Sequence, residues 1–283
     1  MKIKVFSSGS DGNSTIIIAN NKKILIDLGI TRKQIIENLA TMNLEICDID
    51  AIFITHEHID HIKAFPTMLK EVEIPIYISS GTLNSIYDMY KASGKTKLTE
   101  LIDKRYNEGS IIILSHEDES FLYKSFNLGG VIIDVLPAFH DASEPIGFVI
   151  HEEEKKLVYL TDTGYVHEAI WPVINDADAY ILESNHDPEI LMASSRPYSL
   201  KIRILSDHGH LSNEDSMVVL ANVMGPSTKL VMHAHISQEC NLTQILELTR
   251  KKVFDSFGID YSNIKFEILH PYPSEEYNIW KLI

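Results

Sequence analysis

"THEHIDHI", Thr55–Ile62, places three histidines, a glutamate and an aspartate in six consecutive positions, directly after the apolar run "AIFI". The run has the length and composition of a buried strand. Residues two apart in an extended segment can converge on one cation, whereas on a helix they would point in different directions. We therefore interpret His56 and His58 as ligands of one cation, and Asp60 and His61, near the start of the next helix, as ligands of a second. The alternative, a solvated histidine-rich turn, does not account for this density of histidines.

Other apolar runs also end in residues that bind metals. His140 follows "VLPAF", Asp162 ends "LVYLTD", and His235 ends "KLVMHAH". Alone, each would more often be a residue at the surface or at the edge of a core. Together with the first stretch they supply five histidines and two aspartates, enough for two divalent cations that share one carboxylate. Imidazole and carboxylate ligands suit zinc, manganese or iron, and the absence of cysteine pairs argues against a structural zinc site of the cysteine type.

The pattern around these residues predicts the fold class. The chain opens with three short strand-like runs separated by turn formers, which favours an antiparallel meander. Thr31 is a good N-cap for a helix that carries Ile35 and Leu39, and "IHEEEKKLVYL" reads as a charged hairpin. Further helices are predicted in "SGTLNSIYDMYKA", "YVHEAIWPVI", "SNEDSMVVLANVM" and "TQILELTRKKVFDSF". Meanders in one part and strand–helix alternation in another predict an α+β sandwich, with two sheets face to face and helices outside. No long linker interrupts the sequence, so we expect one domain over residues 1–283.

The amino-acid composition argues against several classes of function. It has 283 residues, 45% of them hydrophobic, and its formal net charge is −15, from 25 basic and 40 acidic residues. This balance disfavours broad attraction to a polyanion or an anionic membrane, although a local groove could still bind one. The two cysteines are too few for a disulfide framework, and no apolar run resembles a signal peptide or a membrane span. We therefore expect a cytoplasmic protein.

"HEHIDH" resembles the H-x-H-x-D-H signature of the metallo-β-lactamase superfamily, and "IDLG" with the later ligand motifs follows the same order over nearly the whole chain. The resemblance implies an αββα sandwich of two mixed sheets. It assigns His56, His58 and His140 to one metal, Asp60, His61 and His235 to the other, and Asp162 to a bridging position. His235 rather than the neighbouring His233 is the implied last ligand. Asp27 is expected to support the ligand loop from behind the metals, as ligands generally require.

Longer strings narrow the resemblance to the YycJ/WalJ branch of that superfamily. They are "SSGSDGNST", "AFHDASEPIGF", "TDTGYV", "LESNHD", "ILSDHGHLSNED" and "HISQECN". Members of this branch resemble DNA exonucleases and are linked to cell-wall two-component signalling. The implied activity is phosphodiester hydrolysis of DNA, in the 5′ to 3′ direction, with a metal-bridged hydroxide as nucleophile and Asp60 among the catalytic residues.

Several residues outside the ligand set are candidates for proton transfer and for substrate contact. His186 and His210 are candidate proton donors to the leaving oxygen, and ordinary hydrogen-bonded loop residues are the alternative for both. Asn185 and His208, which lie beside them in the sequence, are candidate substrate contacts. The stretch "SSRPYSLKIRI" is locally basic and contains Arg196 and Tyr198. An ordinary surface loop is the alternative that composition favours, whereas the family resemblance favours contact of these residues with a nucleic-acid backbone and stacking on a base.

Two other functions stay open. The same metals would also direct hydroxide at a thioester, lactone or β-lactam carbonyl, which gives a binuclear hydrolase with a different substrate. The chain could alternatively be a metal-stabilised regulatory module of cell-wall signalling without relevant turnover.

Overall fold

Two mixed β-sheets form the frame of the molecule. Within residues 1–114 and 125–282, which the computed structural model describes, each sheet has seven strands. The first sheet runs in the order β14 (Tyr277–Asn278), β1 (Lys2–Ser7), β2 (Ser14–Ala19), β3 (Lys22–Ile26), β4 (Ala51–Ile54), β5 (Ile76–Ser79) and β6 (Ile111–Leu114). The second runs β13 (Lys265–Ile268), β12 (Leu230–Ala234), β11 (Ala179–Glu183), β10 (Lys155–Leu160), β9 (Ile146–Glu152), β8 (Val131–Pro137) and β7 (Phe126–Leu128).

Both sheets change from antiparallel to parallel pairing along their width. β1, β2 and β3 form the expected meander, and β3 to β6 are parallel. In the second sheet β8, β9 and β10 are antiparallel and β10 to β13 are parallel. Because parallel strands end at the same edge, each sheet presents a row of strand-to-loop junctions there, and such edges are where α/β sheets usually bind ligands.

Helices cover the outer face of each sheet. The described helices are α1 (Arg32–Ala40), α2 (Ile59–Ile62), α3 (Phe65–Glu71), α4 (Ser80–Ala92), α5 (Thr96–Asn107), α6 (Trp171–Ile174), α7 (Pro188–Ala193), α8 (Tyr198–Ile204), α9 (Asn213–Val223) and α10 (Thr243–Phe257). Short 3₁₀ turns occur at Ile46–Asp48, Glu168–Ile170 and Ile279–Lys281. None of the described helices combines the length and the apolar composition that crossing a membrane would require.

Three apolar layers separate these elements. The layer between the sheets includes Phe53 of β4 and Phe148 of β9, whose rings meet edge to face at 5.3 Å between centroids. A second layer lies between the first sheet and the helices from α1 to α5, and a third lies between the second sheet and α6, α9 and α10. The order of helices, sheet, sheet and helices confirms the predicted α+β sandwich with helices outside.

The predicted elements agree with the structure where a local signal was strong. Helices α4 and α10 have the predicted bounds, and the Thr31 hydroxyl accepts a hydrogen bond from the Gln34 amide as the N-cap of α1. The predicted helix in "YVHEAIWPVI" was too long. The α-helix there begins only at Trp171, because proline fits the first turn of a helix but not its interior. Helix α5 was not predicted, although Leu98 and Ile102 form its buried side.

Candidate metal centre

The side chains predicted to bind metals meet where strands of both sheets end. β3 is followed by Asp27, β4 by the "HEHIDH" loop and β8 by His140. β10, β11 and β12 end at or just before Asp162, Glu183 and His235. Strands from the two halves of the chain therefore deliver their terminal side chains to one place.

His56, His58 and His140 form the first group of possible ligands. One ring nitrogen from each lies within 4.8 Å of the others, as expected for three side chains around one ion. The His140 Nδ1 atom donates to the Gly209 carbonyl over 2.9 Å, so its Nε2 atom is left facing His58 Nδ1 at 3.3 Å. A backbone acceptor of this kind fixes the tautomer and the orientation of a metal-binding imidazole.

Asp60, His61 and His235 form the second group, again with donor atoms within 4.8 Å of one another. The Asp60 Oδ2 atom lies 3.7 Å from His61 Nε2 and 3.7 Å from His235 Nε2. Behind this group, Asp27 is fully buried and its Oδ2 atom accepts from His61 Nδ1 over 2.7 Å. Thr55 donates to both Asp27 oxygens, which holds the carboxylate against the imidazole.

Asp162 lies between the two groups. Its Oδ2 atom is 3.2 Å from His61 Nε2, and its Oδ1 atom is 3.3 Å from His235 Nδ1 and 3.9 Å from His140 Nε2. Its side chain is only 2% exposed. One carboxylate thus reaches both donor groups, which is the geometry that a shared, bridging ligand needs.

The backbone at these junctions takes an uncommon conformation. Asp27, Asp162 and His235 have φ angles of 61°, 53° and 53°, in the left-handed region. Residues other than glycine rarely adopt it, and where they do the site is often functional. Gly29 adds a close approach, since a Cβ there would lie 1.6 Å from the Asp60 carbonyl oxygen. The backbone N–H of Asn13 also donates to the Asp60 carbonyl, over 2.7 Å.

Electrostatics of the centre favour a bound cation. Burial would raise the pKa of Asp162, but the neighbouring His235 and His61 hold it well below its usual range. Burial would lower the pKa of His235, but Asp162, Asp60 and Glu183 raise it to about 10. In this cluster imidazolium protons therefore balance the carboxylates, and a divalent cation would supply the same positive charge.

Unsatisfied polar atoms give an independent test of the fit. Within the described part of the chain, His56 Nε2, Asp162 Oδ2 and His235 Nε2 are buried and make no hydrogen bond of normal geometry, the 3.2 Å approach of Asp162 Oδ2 to His61 Nε2 being an ion-pair contact. Buried polar atoms are nearly always satisfied in native proteins, and metal coordination would satisfy all three. The donor set of imidazole nitrogens and carboxylate oxygens matches the preferences of zinc, manganese and iron.

Glu183 and His210 form a pair beside the ligand groups. His210 Nδ1 lies 2.7 Å from Glu183 Oε1, and the other oxygen of this fully buried carboxylate accepts from the Thr163 amide over 2.8 Å. Burial would raise the pKa of Glu183, but His210 and His235 hold it below its usual range. Since the His210 ring is 4.8 Å from the His140 ring and is 20% exposed, it borders the centre on the solvent side.

The other residues that were predicted to contact substrate or transfer a proton differ in their burial and in their partners. Asn185 is buried and donates to the His235 carbonyl over 2.7 Å. His186 is 1% exposed, and burial lowers its pKa to about 4. His208 is exposed on the turn before His210. Arg196 pairs with Glu239 at 2.9 Å, and Tyr198 is 70% exposed at the start of α8.

Glu183, Asn13 and Gly29 were not among the site residues predicted from the sequence. Glu183 could have been found by the signal that identified Asp162, because it is an acidic residue that ends an apolar strand. Asn13 and Gly29 lie in the turn-rich strings "SSGSDGNST" and "IDLG". Their contacts with the Asp60 backbone, however, join segments that are 47 residues apart for Asn13 and 31 residues apart for Gly29.

Comparison with known proteins places the chain in a family. A model of the β-lactamase superfamily domain matches residues 22–234. The exodeoxyribonuclease YycJ of Bacillus anthracis is 31% identical over 91% of this chain and 90% of its own length. The exodeoxyribonuclease WalJ of Streptococcus pneumoniae is 35% identical over 88% of this chain and 86% of its own length.

Solved structures of lower identity share the fold. Zn²⁺-bound PqqB from Methylobacterium extorquens superposes with a TM-score of 0.65 at 14% identity, over 98% of this chain and 100% of that one. The short form of human tRNase Z superposes with a TM-score of 0.64 at 17% identity, over 99% of each chain. The chain therefore belongs to the β-lactamase superfamily and, within it, to the family of the YycJ and WalJ exodeoxyribonucleases.

Proposed function

We propose that the protein is a metal-dependent DNA exonuclease that hydrolyses phosphodiesters at a centre of two divalent cations. The observation that carries this proposal is Asp162, whose two oxygens lie between two separate groups of imidazole and carboxylate donors. The similarity to relatives named exodeoxyribonucleases, over most of both chains, supports the choice of substrate.

The proposed ligands follow the two groups. His56, His58 and His140 would hold one cation, and Asp60, His61 and His235 would hold the other. Asp162 would be shared, and Asp27 would orient His61 from behind. The chemistry that bound divalent cations supply at such a centre is activation of a water molecule and neutralisation of phosphodiester charge. Zinc, manganese and iron all fit this donor set.

Asp60 and His210 are the proposed acid–base groups. The Asp60 side chain is 18% exposed, more than its partners His61 and His235, and can accept a hydrogen bond from the attacking water. His210 donates through Nδ1 to Glu183, which orients the ring and leaves its Nε2 atom as the proposed site of proton transfer to the leaving oxygen. His186 is a poorer candidate for proton transfer, because its ring is buried and its pKa is about 4.

Substrate contacts are proposed at the rim. His208 and Tyr198 are exposed and can reach a bound nucleotide. Asn185 would act by holding the His235 backbone, and Arg196 would have to exchange its Glu239 partner for a phosphate.

Other features of this proposal rest on composition or on the resemblance. We propose a cytoplasmic location, which agrees with the free thiols of Cys47 and Cys240. Residues 1–283 would act as one domain, cleavage would proceed 5′ to 3′, and a link to cell-wall two-component signalling stays a prediction from family membership.

The test combines metal content with end-labelled DNA. Purified wild type is analysed by elemental mass spectrometry and incubated with duplex DNA labelled at the 5′ or at the 3′ end. We expect about two metals per chain, and labelled mononucleotide released first from the 5′-labelled substrate. Asp162→Asn should lose metal and cleavage together, whereas His210→Asn should keep its metal and lose turnover.

Two outcomes would refute the proposal. Two bound metals with hydrolysis of S-lactoylglutathione or nitrocefin, but not of DNA, would favour the thioesterase or lactonase alternative. Two bound metals without turnover on any of these substrates would favour the regulatory module.

A further inference from the structure

We propose that an aromatic platform beside the metal centre, made of Phe139, Tyr165, His167 and His208, binds the nucleobase next to the cleaved phosphodiester by stacking. This inference rests on the proposed exonuclease function and adds a binding site for the base, whereas the metal centre binds the phosphate.

The four rings are contiguous. Phe139 lies at the middle, with centroid distances of 5.8 Å to Tyr165, 6.3 Å to His167 and 6.3 Å to His208. The Tyr165 and His167 rings are 5.8 Å apart. These separations are typical of interacting aromatic side chains, so the rings form one surface rather than four isolated groups.

Three of the rings lie within three residues of a residue of the centre, and His167 shares the loop of Tyr165. Phe139 directly precedes His140, Tyr165 follows Asp162 by three residues, and His208 precedes His210 by two. Since consecutive Cα atoms are about 3.8 Å apart, the platform begins within one or two residues of the donor groups. A nucleotide whose phosphate occupies the centre would therefore place an adjacent base close to these rings.

Hydrogen bonds fix the loops to one another. The Gly164 amide donates to the Phe139 carbonyl over 2.8 Å, and the Phe139 amide donates to Thr163 Oγ1 over 3.0 Å. Gly164 also packs tightly on the turn before His208, since a Cβ there would lie 2.4 Å from the Ser206 carbonyl oxygen. A surface held in this way binds without first having to be ordered, which favours affinity.

Exposure and charge both favour a nucleobase as the occupant. Tyr165 is 39% exposed, and His208 is exposed as well. The chain carries a net charge of −15, and the nearby Arg196 and Arg203 already pair with Glu239 and Asp141. Stacking supplies affinity without positive charge. It also accepts every base, because each base has a π face, as an enzyme that removes successive nucleotides requires.

The test is a mutant cycle between protein and substrate. Wild type, Tyr165→Ala and Tyr165→Phe are assayed on three oligonucleotides, one unmodified and two with an abasic nucleotide on one or the other side of the cleaved bond. Tyr106→Ala is the matched control, because Tyr106 is 52% exposed on α5, outside the platform. Metal content is measured for every variant.

We expect Tyr165→Ala to raise KM about tenfold on the unmodified substrate, while Tyr165→Phe stays within about twofold of wild type. On one of the abasic substrates wild type and Tyr165→Ala should become equal, because the stacking partner is gone. Tyr106→Ala should match wild type throughout.

An equal loss by Tyr165→Ala on all three substrates would assign Tyr165 a structural role and overturn the platform, as would no loss on any of them. Either result would leave the exonuclease function standing, provided that wild type cleaves DNA. A wild type that holds two metals and cleaves none of the oligonucleotides would overturn both proposals.

Discussion

Asp27→Asn tests how the protein holds its second group of ligands. The Asp27 carboxylate accepts three hydrogen bonds, from the Thr55 amide at 2.8 Å, the Thr55 hydroxyl at 2.9 Å and His61 Nδ1 at 2.7 Å. The substitution keeps the shape of the side chain but replaces one acceptor oxygen with a donor NH₂ group. If the amide oxygen faces His61, the new NH₂ group faces the Thr55 N–H, and two buried donors then oppose each other.

Two magnitudes follow from this geometry. Leaving buried donors unsatisfied should lower the free energy of unfolding of the metal-free protein by about 1–3 kcal/mol. Loss of the charged acceptor that orients His61 should weaken metal binding about 10- to 100-fold, the range usual for such supporting residues. At about 1.4 kcal/mol for each factor of ten, this corresponds to about 1.4–2.8 kcal/mol of binding free energy.

The assay is competition with a chelating dye, which gives the dissociation constant of each bound metal, together with urea denaturation of the metal-free protein. Asp50→Asn is the matched control. Asp50 accepts from the Lys23 amide over 2.9 Å at the opposite end of β3, and its loss should leave metal affinity unchanged. A folded Asp27→Asn protein with wild-type metal affinity would refute the supporting role of Asp27. Equal metal loss in both variants would show that the effect is not specific to His61.

Three further predictions concern catalysis, loop packing and pH. We expect His210→Asn to lower kcat by about 10²- to 10⁴-fold with metal content unchanged. His151→Asn is the control: it removes an imidazole on β9 that lies 2.8 Å from the Asp134 carboxylate, and it should be neutral in the same assay. Equal effects of the two substitutions would contradict this role for His210. Gly29→Ala should lower the free energy of unfolding by about 1–3 kcal/mol and deplete bound metal, because its Cβ would displace the Asp60 carbonyl. Wild-type metal content in that variant would show that the loop tolerates the side chain. In chelator-treated protein the His235 pKa of about 10 lies above its unfolded value, so its stabilisation is complete below about pH 6.5 and is lost as the pH rises towards 10. Urea denaturation between pH 7 and 9 should show a fall of up to about 1.4 kcal/mol per pH unit from this group, and His235→Gln should fall less steeply; parallel slopes would contradict the assignment.

The candidate ligands and their order along the chain were predicted from the sequence. Each candidate ligand follows an apolar run, and a strand that ends in a histidine or an aspartate is a local signal. Thr31 as a helix N-cap and the bounds of α4 and α10 were equally local, because capping and helical periodicity depend on residues only a few positions apart.

Spacing alone did not distinguish His233 from His235, and in the sequence only the family resemblance favoured His235. Both histidines end "KLVMHAH", and their spacing gives no reason to prefer one. In the structure His233 lies within β12 and its Nδ1 atom is 3.0 Å from the Ser184 hydroxyl. His235 follows the strand with a φ of 53° and lies in the second ligand group. That backbone turn depends on the surrounding packing, because the His235 backbone N–H donates a hydrogen bond of 2.8 Å to the hydroxyl of Ser8, 227 residues away in the sequence.

The ion pairs of the basic residues could not be predicted from the sequence either. "SSRPYSLKIRI" is locally basic, yet the fold brings Glu239 to Arg196 and Asp141 to Arg203 from segments 43 and 62 residues away. The Glu183–His210 pair likewise joins residues 27 positions apart. By itself the sequence determined most of the strands and helices, although not α5, and which side chains are candidate ligands, because those properties depend on short-range pattern. The tertiary structure alone decided which side chains meet, because that depends on the order of strands within two sheets, and this order is set by long-range burial of their apolar faces.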